Sequence, residues 1–267
     1  MSDPQELISH DEVNTVIITS RHESHGPLVL DALRQGKDVF VEKPLCLSRT
    51  RLKEIKEEYG KSKSRLMVGF NRRFAPMTIQ AKEFLGEGPM SMNYRINAGM
   101  LPADHWVNHP EIGGGRILGE AVHFIDLCTF MCNSRIHSVS ASGLKDQYGN
   151  INTVSIDLRF ENQSIASISY MSNGGTSVPK ERFEIFSEGK VALIDDFKLL
   201  ELHGNKVQRI KGKQDKGHAN EMAAFFNNLR DGDPLPIPFD ECYHSTKATF
   251  KVLDSIKENG ARQYILD

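Results

Sequence analysis

The sequence predicts a chain in two parts, a small parallel α/β piece followed by an α+β piece built on a larger, mostly antiparallel sheet. Three observations carry this. Between Val13 and Phe70, short β-branched runs alternate with helix-period segments across short connections, the pattern of a parallel sheet. From Ile136 onward, alternating strands follow one another through turns too short for a crossover, so neighbours should pair antiparallel. A length of 267 residues suggests two domains or one large one, at about 100–200 residues per domain.

The elements follow in order. VNTVIITS, Val13 to Ser20, reads as a strand buried on both faces. Leu28, Val29, Ala32 and Leu33 recur at helical spacing, with Gly36 as the stop. DVFVEKP, Asp38 to Pro44, is a second buried strand. Ser48 can cap a helix from Arg49 to Tyr59, and RLMVGF, Arg65 to Phe70, is the third strand. A helix from Pro76 to Leu85 and a strand from Met90 to Ala98 come next. A loop rich in Pro, His and Gly then runs to Gly115, before an apolar helix from Arg116 to Cys132. The strands IHSVSASG, NTVSIDLRF, SIASISYM, ERFEIFSE, KVALIDD and LLELHG follow. Two helices, His218 to Leu229 and Asp240 to Glu258, close the chain.

Composition excludes several functions. Lys and Arg number 33 against 35 Asp and Glu, a net charge of −2 without the basic footprint of a nucleic-acid binder. No apolar run approaches the roughly 20 residues that span a bilayer, and the polar start is unlike a secretory signal. Cys46, Cys128, Cys132 and Cys242 form no CxxC pair, so neither a disulfide framework nor a cysteine-rich metal site is expected. A cytoplasmic chain fits.

Glu42-Lys43-Pro44 ends a predicted parallel strand, the edge at which open α/β sheets bind ligands. Lys43 can orient a substrate hydroxyl and share in proton transfer; a solvated strand-end lysine is the other reading. In GGGRILGEAVHFIDLCTFMC, Glu120, His123 and Asp126 interrupt an otherwise apolar helix at i, i+3 and i+6, so they fall along one side of it. An imidazole beside a carboxylate in a cleft suits a general base, while a satisfied core histidine is the alternative. His105 and His109 are four apart, but Pro110 and the glycines argue for a loop, so no metal site is expected. The Arg21 to His25 stretch follows the first strand and either borders a cofactor or starts a helix. Asn71-Arg72-Arg73 ends the third strand, where Arg73 is taken to hold an anionic ligand group, against solvated charge.

Together VIITSRHESH, ALRQGKDVFVEKPL, GFNRRFAP and WVNHPEIGGGRILGEAVHFIDL resemble the glucose–fructose oxidoreductase/inositol dehydrogenase (Gfo/Idh/MocA) family over nearly the whole chain. The resemblance implies residues 1–72 as the C-terminal half of a Rossmann-like dinucleotide-binding domain and 73–267 as an α+β substrate and oligomerisation domain. It implies an NAD- or NADP-dependent dehydrogenase of a sugar, cyclitol or sugar derivative. Lys43 matches the family lysine at nicotinamide and substrate, and Glu42 the glutamate on the cofactor side. His123 matches the histidine at the carbinol, with Asp126 near the substrate. Ser20, His22 and His25 fall where the family has Thr-Pro-Asn-x-x-His beside the dinucleotide, with Arg21 and His22 replacing the proline and asparagine. The family aspartate four residues before the histidine is Gly119 here, so Glu120 is expected to take over its role.

No G-x-G-x-x-G turn occurs in the sequence. The expectation is a truncated or C-terminal portion with weak or absent cofactor binding, since the pyrophosphate normally rests on such a turn. The alternative is a non-catalytic oligomerising or sugar-binding module. Moderately apolar alternate faces of the strands from Ile136 to Ile210 point to a homo-oligomer through the antiparallel sheet.

Overall fold

A computed structural model describes residues 3–265. Three parallel strands, β1 (Thr15–Ile18), β2 (Asp38–Val41) and β3 (Leu66–Val68), form a sheet in that order, with Thr15 beside Asp38 and Val39 beside Leu66. Helices α2 (His22–Arg34) and α3 (Arg49–Lys61) connect them. Ser48 caps α3 by accepting from Arg51 N. β2 and β3 are buried on both faces, as the β-branched runs predict. β1 is not: Ile17 is 45% exposed, because β1 is an edge strand with its outer side uncovered. A short helix absent from the sequence reading, α1 (Pro4–Ser9), precedes it, capped by the Asp3 carboxylate on Gln5 N. The Asp-Pro pair was its signal, a cap followed by a proline at the first turn.

A 3-10 turn, Asn71–Phe74, and α4 (Pro76–Leu85) lead into the second sheet. Its strands are β4 (Ser91–Asn97), β5 (Ile136–Lys145), β6 (Ile151–Phe160), β7 (Ile165–Met171), β8 (Glu181–Ser187), β9 (Lys190–Asp195), β10 (Leu199–His203), β11 (Val207–Lys211) and β12 (Gln263–Tyr264). They lie in the order β11-β10-β9-β8-β4-β7-β6-β5-β12. All pairings are antiparallel except β4 with β7, which run parallel. β4 separates β7 from β8, so those consecutive strands do not pair as expected. β11 and β12 lack the apolar alternation that reveals the others.

One face of this sheet is buried under helices. Met92, Tyr94, Ile156, Ile168, Phe183, Ile185 and Ile194 pack there with Phe124, Leu127 and Met131 of α5 (Val122–Cys132). The outer face carries Ser155, Asp157, Arg159, Ser167, Arg182 and Glu184, more polar than the alternation suggested. Register nevertheless places the exposed Phe186 and Ile165 on either side of Ser91.

The closing helices, α6 (His218–Asp231) and α7 (Phe239–Lys257), join the two parts. Phe225, Phe239, Cys242 and Phe250 belong to the core of the parallel sheet, whereas Ala248 and Val252 belong to that of the antiparallel one. Among the described residues no helix is long and apolar enough to cross a membrane.

Candidate functional site

The C-terminal end of β2 delivers Glu42 and Lys43, and the Lys43–Pro44 peptide is cis. Opposite it, the segment expected as one continuous helix begins with a π turn, Ile117–Ala121, before α5. The Lys43 ammonium donates to the Gly119 carbonyl on that turn at 2.8 Å. This fixes the lysine head beside Glu120 and within electrostatic reach of His123.

Burial pushes the Lys43 pKa down, against the upward pull of Glu120 and Glu42. Burial also drives His123 well below the usual imidazole range, and the cations of Arg72 and Lys43 add to this, with His218 and Lys180 further out. His123 is therefore a neutral ring. Its Nδ1 is sealed and has no hydrogen-bond partner, while the residue keeps 8% of its surface, leaving Nε2 as the nitrogen open to the cleft. Burial raises Glu120, but the Arg116 guanidinium and the Lys180 ammonium outweigh it, so the carboxylate stays below its ordinary pKa. Arg116 Nε donates to Glu120 Oε1 at 3.0 Å. The Tyr170 hydroxyl lies beside the same carboxylate without a well-formed hydrogen bond.

The remaining expected residues are placed differently. Asp126 and Arg73 are spent on each other. Arg73 Nε and Nη2 donate to both Asp126 oxygens at 2.7 and 2.6 Å, Nη1 pairs with Glu241, and Ser245 donates to Asp126. With the two side chains at 4% and 1% exposure, neither is free to take a substrate or cofactor group. His123 and Asp126 keep their i, i+3 spacing within regular α5, and it is the buried Arg73 guanidinium that claims the Asp126 carboxylate.

His25 is likewise committed, with Nδ1 at 2.8 Å from Pro44 O and Nε2 at 3.0 Å from Ser20 O. It ties the end of β1 to the Lys43–Pro44 segment instead of facing a ligand. Ser20 is exposed at that strand end, its hydroxyl 2.5 Å from that of Ser24. His22 sits in the site wall, with Nδ1 at 2.8 Å from Gly113 O and its ring edge-on to Trp106. Burial lowers it to about 4, with Lys43 adding to the effect. A Cβ on Gly119 would come within 2.7 Å of this imidazole, so the histidine fills the space that a side chain at 119 would need. His105 accepts from Val107 N at the head of a 3-10 turn, as a loop residue does.

Several neighbours escaped the sequence reading. Arg116 had a signal, an i, i+4 Arg–Glu pair after the glycines. Arg72 lay in the Asn71-Arg72-Arg73 stretch without being assigned a role: it is buried, bidentate to Glu181 at 2.9 and 2.8 Å, and Glu181 also receives Tyr94 at 2.5 Å and Lys216 at 2.7 Å. Glu221, in the first turn of α6, is 1% exposed with Oε1 unpartnered. Burial, together with Glu42 and Asp126, raises it to about 9.

The Lys43 ammonium and the Glu42 carboxylate at the C-terminal end of β2, with the His123 imidazole within electrostatic reach on α5, are polar groups of the kind that could hold a nicotinamide. The phosphate side offers less, because the Glu23 N–H at the start of α2 is already given to Ile112 O.

Comparison with known proteins places the chain in a family. Residues 1–70 match the model of an oxidoreductase family with an NAD-binding Rossmann fold, and 84–191 match the Gfo/Idh/MocA C-terminal domain. The myo-inositol 2-dehydrogenase of Thermotoga maritima is 26% identical over 87% of this chain and 74% of its own length. The scyllo-inositol 2-dehydrogenase (NAD(+)) of Bacillus subtilis is 27% identical over 62% of this chain, which spans only 51% of that relative. An oxidoreductase domain protein from Kribbella flavida superposes with a TM-score of 0.88 at 18% identity, covering 100% of this chain and 84% of that one. A levoglucosan dehydrogenase in complex with NADH and levoglucosan gives 0.87 at 18% with the same coverage. These two likenesses speak to fold alone. With one model matching each part of the chain, in the order the sequence motifs require, the chain belongs to the Gfo/Idh/MocA family of oxidoreductases.

Proposed function

We propose that this chain acts in an NAD(P)-dependent dehydrogenase that oxidises a hydroxyl of a cyclitol, sugar or sugar derivative. The observation that supports this is the Lys43 head held by the Gly119 carbonyl on the turn that leads to His123, close enough for its charge to act on that imidazole. His123 accepts the hydroxyl proton at Nε2, and its low pKa keeps that nitrogen unprotonated beforehand. Lys43 donates to the same substrate oxygen and stabilises the charge that develops on it. Glu120 and Arg116 hold the far wall. Nicotinamide, with Glu42 and Lys43 on its side of the cleft and Ser20 and His22 at its border, supplies the hydride acceptor. The inositol and levoglucosan dehydrogenases among the relatives support the substrate class.

We infer too that these residues alone hold NAD(H) weakly, because the sequence has no glycine-rich turn for the pyrophosphate. The same fact favours a second reading, a sugar-binding module without turnover. Absorbance at 340 nm with millimolar NAD and a polyol panel separates the two. The dehydrogenase reading expects NADH to form, and His123→Ala to slow it on the order of 10²-fold or more. Polyol binding with no NADH formed supports the module instead. Titration of NADH fluorescence checks the cofactor, and micromolar affinity would overturn the weak-binding inference. We infer a homo-oligomer through the outer face of the larger sheet, supported by the exposed Phe186 and Ile165.

A further inference from the structure

We propose that Glu120, Lys180 and Tyr170 form a second subsite of the cleft that reads a neutral vicinal diol beside the reacting carbinol. It rests on the polyol reading above and names the part of the substrate that sets specificity.

The three side chains come from different elements and meet without satisfying one another. Glu120 uses Oε1 on Arg116, while its Oε2 stands 3.8 Å from the Lys180 ammonium. That separation is too long for a direct hydrogen bond and suits a bridging hydroxyl. The two side chains are 23% and 43% exposed, and a solvated pair of this kind contributes little to folding, so stability does not explain their placement. Tyr170 is fully buried, and its hydroxyl lies beside the Glu120 carboxylate without a well-formed hydrogen bond. Buried polar atoms in native proteins are nearly always paired, so the Tyr170 hydroxyl beside the half-used Glu120 carboxylate marks a place where a ligand or ordered water completes the set.

Lys180 is held in place by its backbone. Its carbonyl accepts from Asn97 N at 2.7 Å, and Arg95 Nη1 donates to the carbonyl of the preceding Pro179 at 2.7 Å. Its ammonium stands 3.8 Å from Glu120 Oε2, and its charge acts on Lys43 and His123 as well.

A hydroxyl both donates and accepts. One member of a diol can donate to Glu120 Oε2 while its neighbour accepts from Lys180 Nζ, and the Tyr170 hydroxyl serves either. An anionic sugar fits worse. The Glu120 carboxylate repels it, and the buried cations nearby are engaged, Arg116 by Gly99 O at 2.6 Å, Ala98 O at 3.3 Å and Glu120 itself, Arg72 by Glu181, and Lys43 by Gly119 O.

The test is titration calorimetry on the full chain with myo-inositol, monodeoxy inositols and D-glucuronate, run beside the NADH assay. Wild type should bind myo-inositol on the order of tenfold tighter than the deoxy compound lacking a diol hydroxyl, and tighter still than glucuronate. Lys180→Met should weaken myo-inositol to the level of that deoxy compound, and Lys180→Arg should keep the discrimination. Lys180 is partly exposed, so these variants should melt like wild type. Unchanged affinity and discrimination in Lys180→Met, glucuronate bound as tightly as myo-inositol, or no polyol bound at all would each overturn the subsite. NADH formed by a Lys180→Met variant with unchanged selectivity sinks the subsite but leaves the dehydrogenase standing. The expected binding pattern without any NADH sinks the dehydrogenase reading alone.

Discussion

Val39, Phe40, Val41, Leu66, Met67 and Val68 of the parallel sheet are at most 2% exposed, whichever face they point to, whereas β6 and β7 of the larger sheet alternate strictly between buried and open positions. The small sheet needs cover on both sides, and its own helices do not supply all of it. Phe225, Phe239 and Phe250 come from the far end of the chain to complete the core. The nine-stranded sheet needs cover on one face only and gets it from α4, α5 and α7. The parallel part therefore depends on the rest of the chain for its core and offers a ligand edge, while the antiparallel part supplies the opposite wall of the cleft. A charged cluster, Arg72 with Glu181, links them beneath that cleft.

The sharpest way to break this picture is Glu181→Ala. Glu181 holds Arg72, Lys216 and Tyr94, and burial of the carboxyl is outweighed by Arg72 and Lys216, which draw it down to about 2. Removing it strands a buried guanidinium, for an expected loss of about 3–5 kcal/mol. Urea unfolding should show both parts lost in one transition; a loss below about 1 kcal/mol would mean that apolar contacts alone join the sheets.

Next in size is Glu221→Gln. The folded-state pKa of about 9 lies above the ordinary 4.5, so the folded protein holds a proton there that the unfolded chain releases. That contribution is fully present below pH 4.5 and is lost as pH rises towards 9. The neutral glutamine should escape the loss and stabilise the chain by about 1–3 kcal/mol at pH 7, with little effect at pH 4. Thermal melts across that range check it, and a benefit independent of pH would point to packing instead.

The smallest effect on stability belongs to the outer face. Ile165→Lys should change unfolding free energy by no more than about 0.5–1 kcal/mol, yet lower the mass seen by light scattering to that of one chain. Wild type with a single-chain mass would remove the oligomer from the comparison.

What could be read from the sequence divides along the same line. The three parallel strands and the alternating β5 to β10 were legible because burial writes itself into local patterns of one or two residues. The edge position of β1 and the parallel pairing of β4 with β7 were not, since both are decided by elements far away in the chain. At the site, Lys43, His123 and Glu120 stood out by motif, or as polar breaks in an apolar helix. Arg73 and Asp126 looked equally available, and only their mutual ion pair shows they are not. Glu221 looks like any polar position of an amphipathic helix, and Lys180 like any loop lysine. Their surroundings come from other elements, so no local pattern marks them.

The π turn at Ile117–Ala121 has a consequence for how this family member can change its length. Such a turn spends an extra residue per winding, and each α-helical residue turns the chain by about 100°. Five residues wound this way turn the chain about as far as four of α-helix, so deleting one here would let the segment relax into a plain α-helix while Arg116 and His123 keep nearly their relative orientation. The hairpin between β6 and β7 can likewise gain or lose residues at its solvent-exposed tip without a rotation. A one-residue deletion is therefore absorbed in the π turn, whereas the same deletion inside α5 would swing the segments on its two sides apart by about 100°.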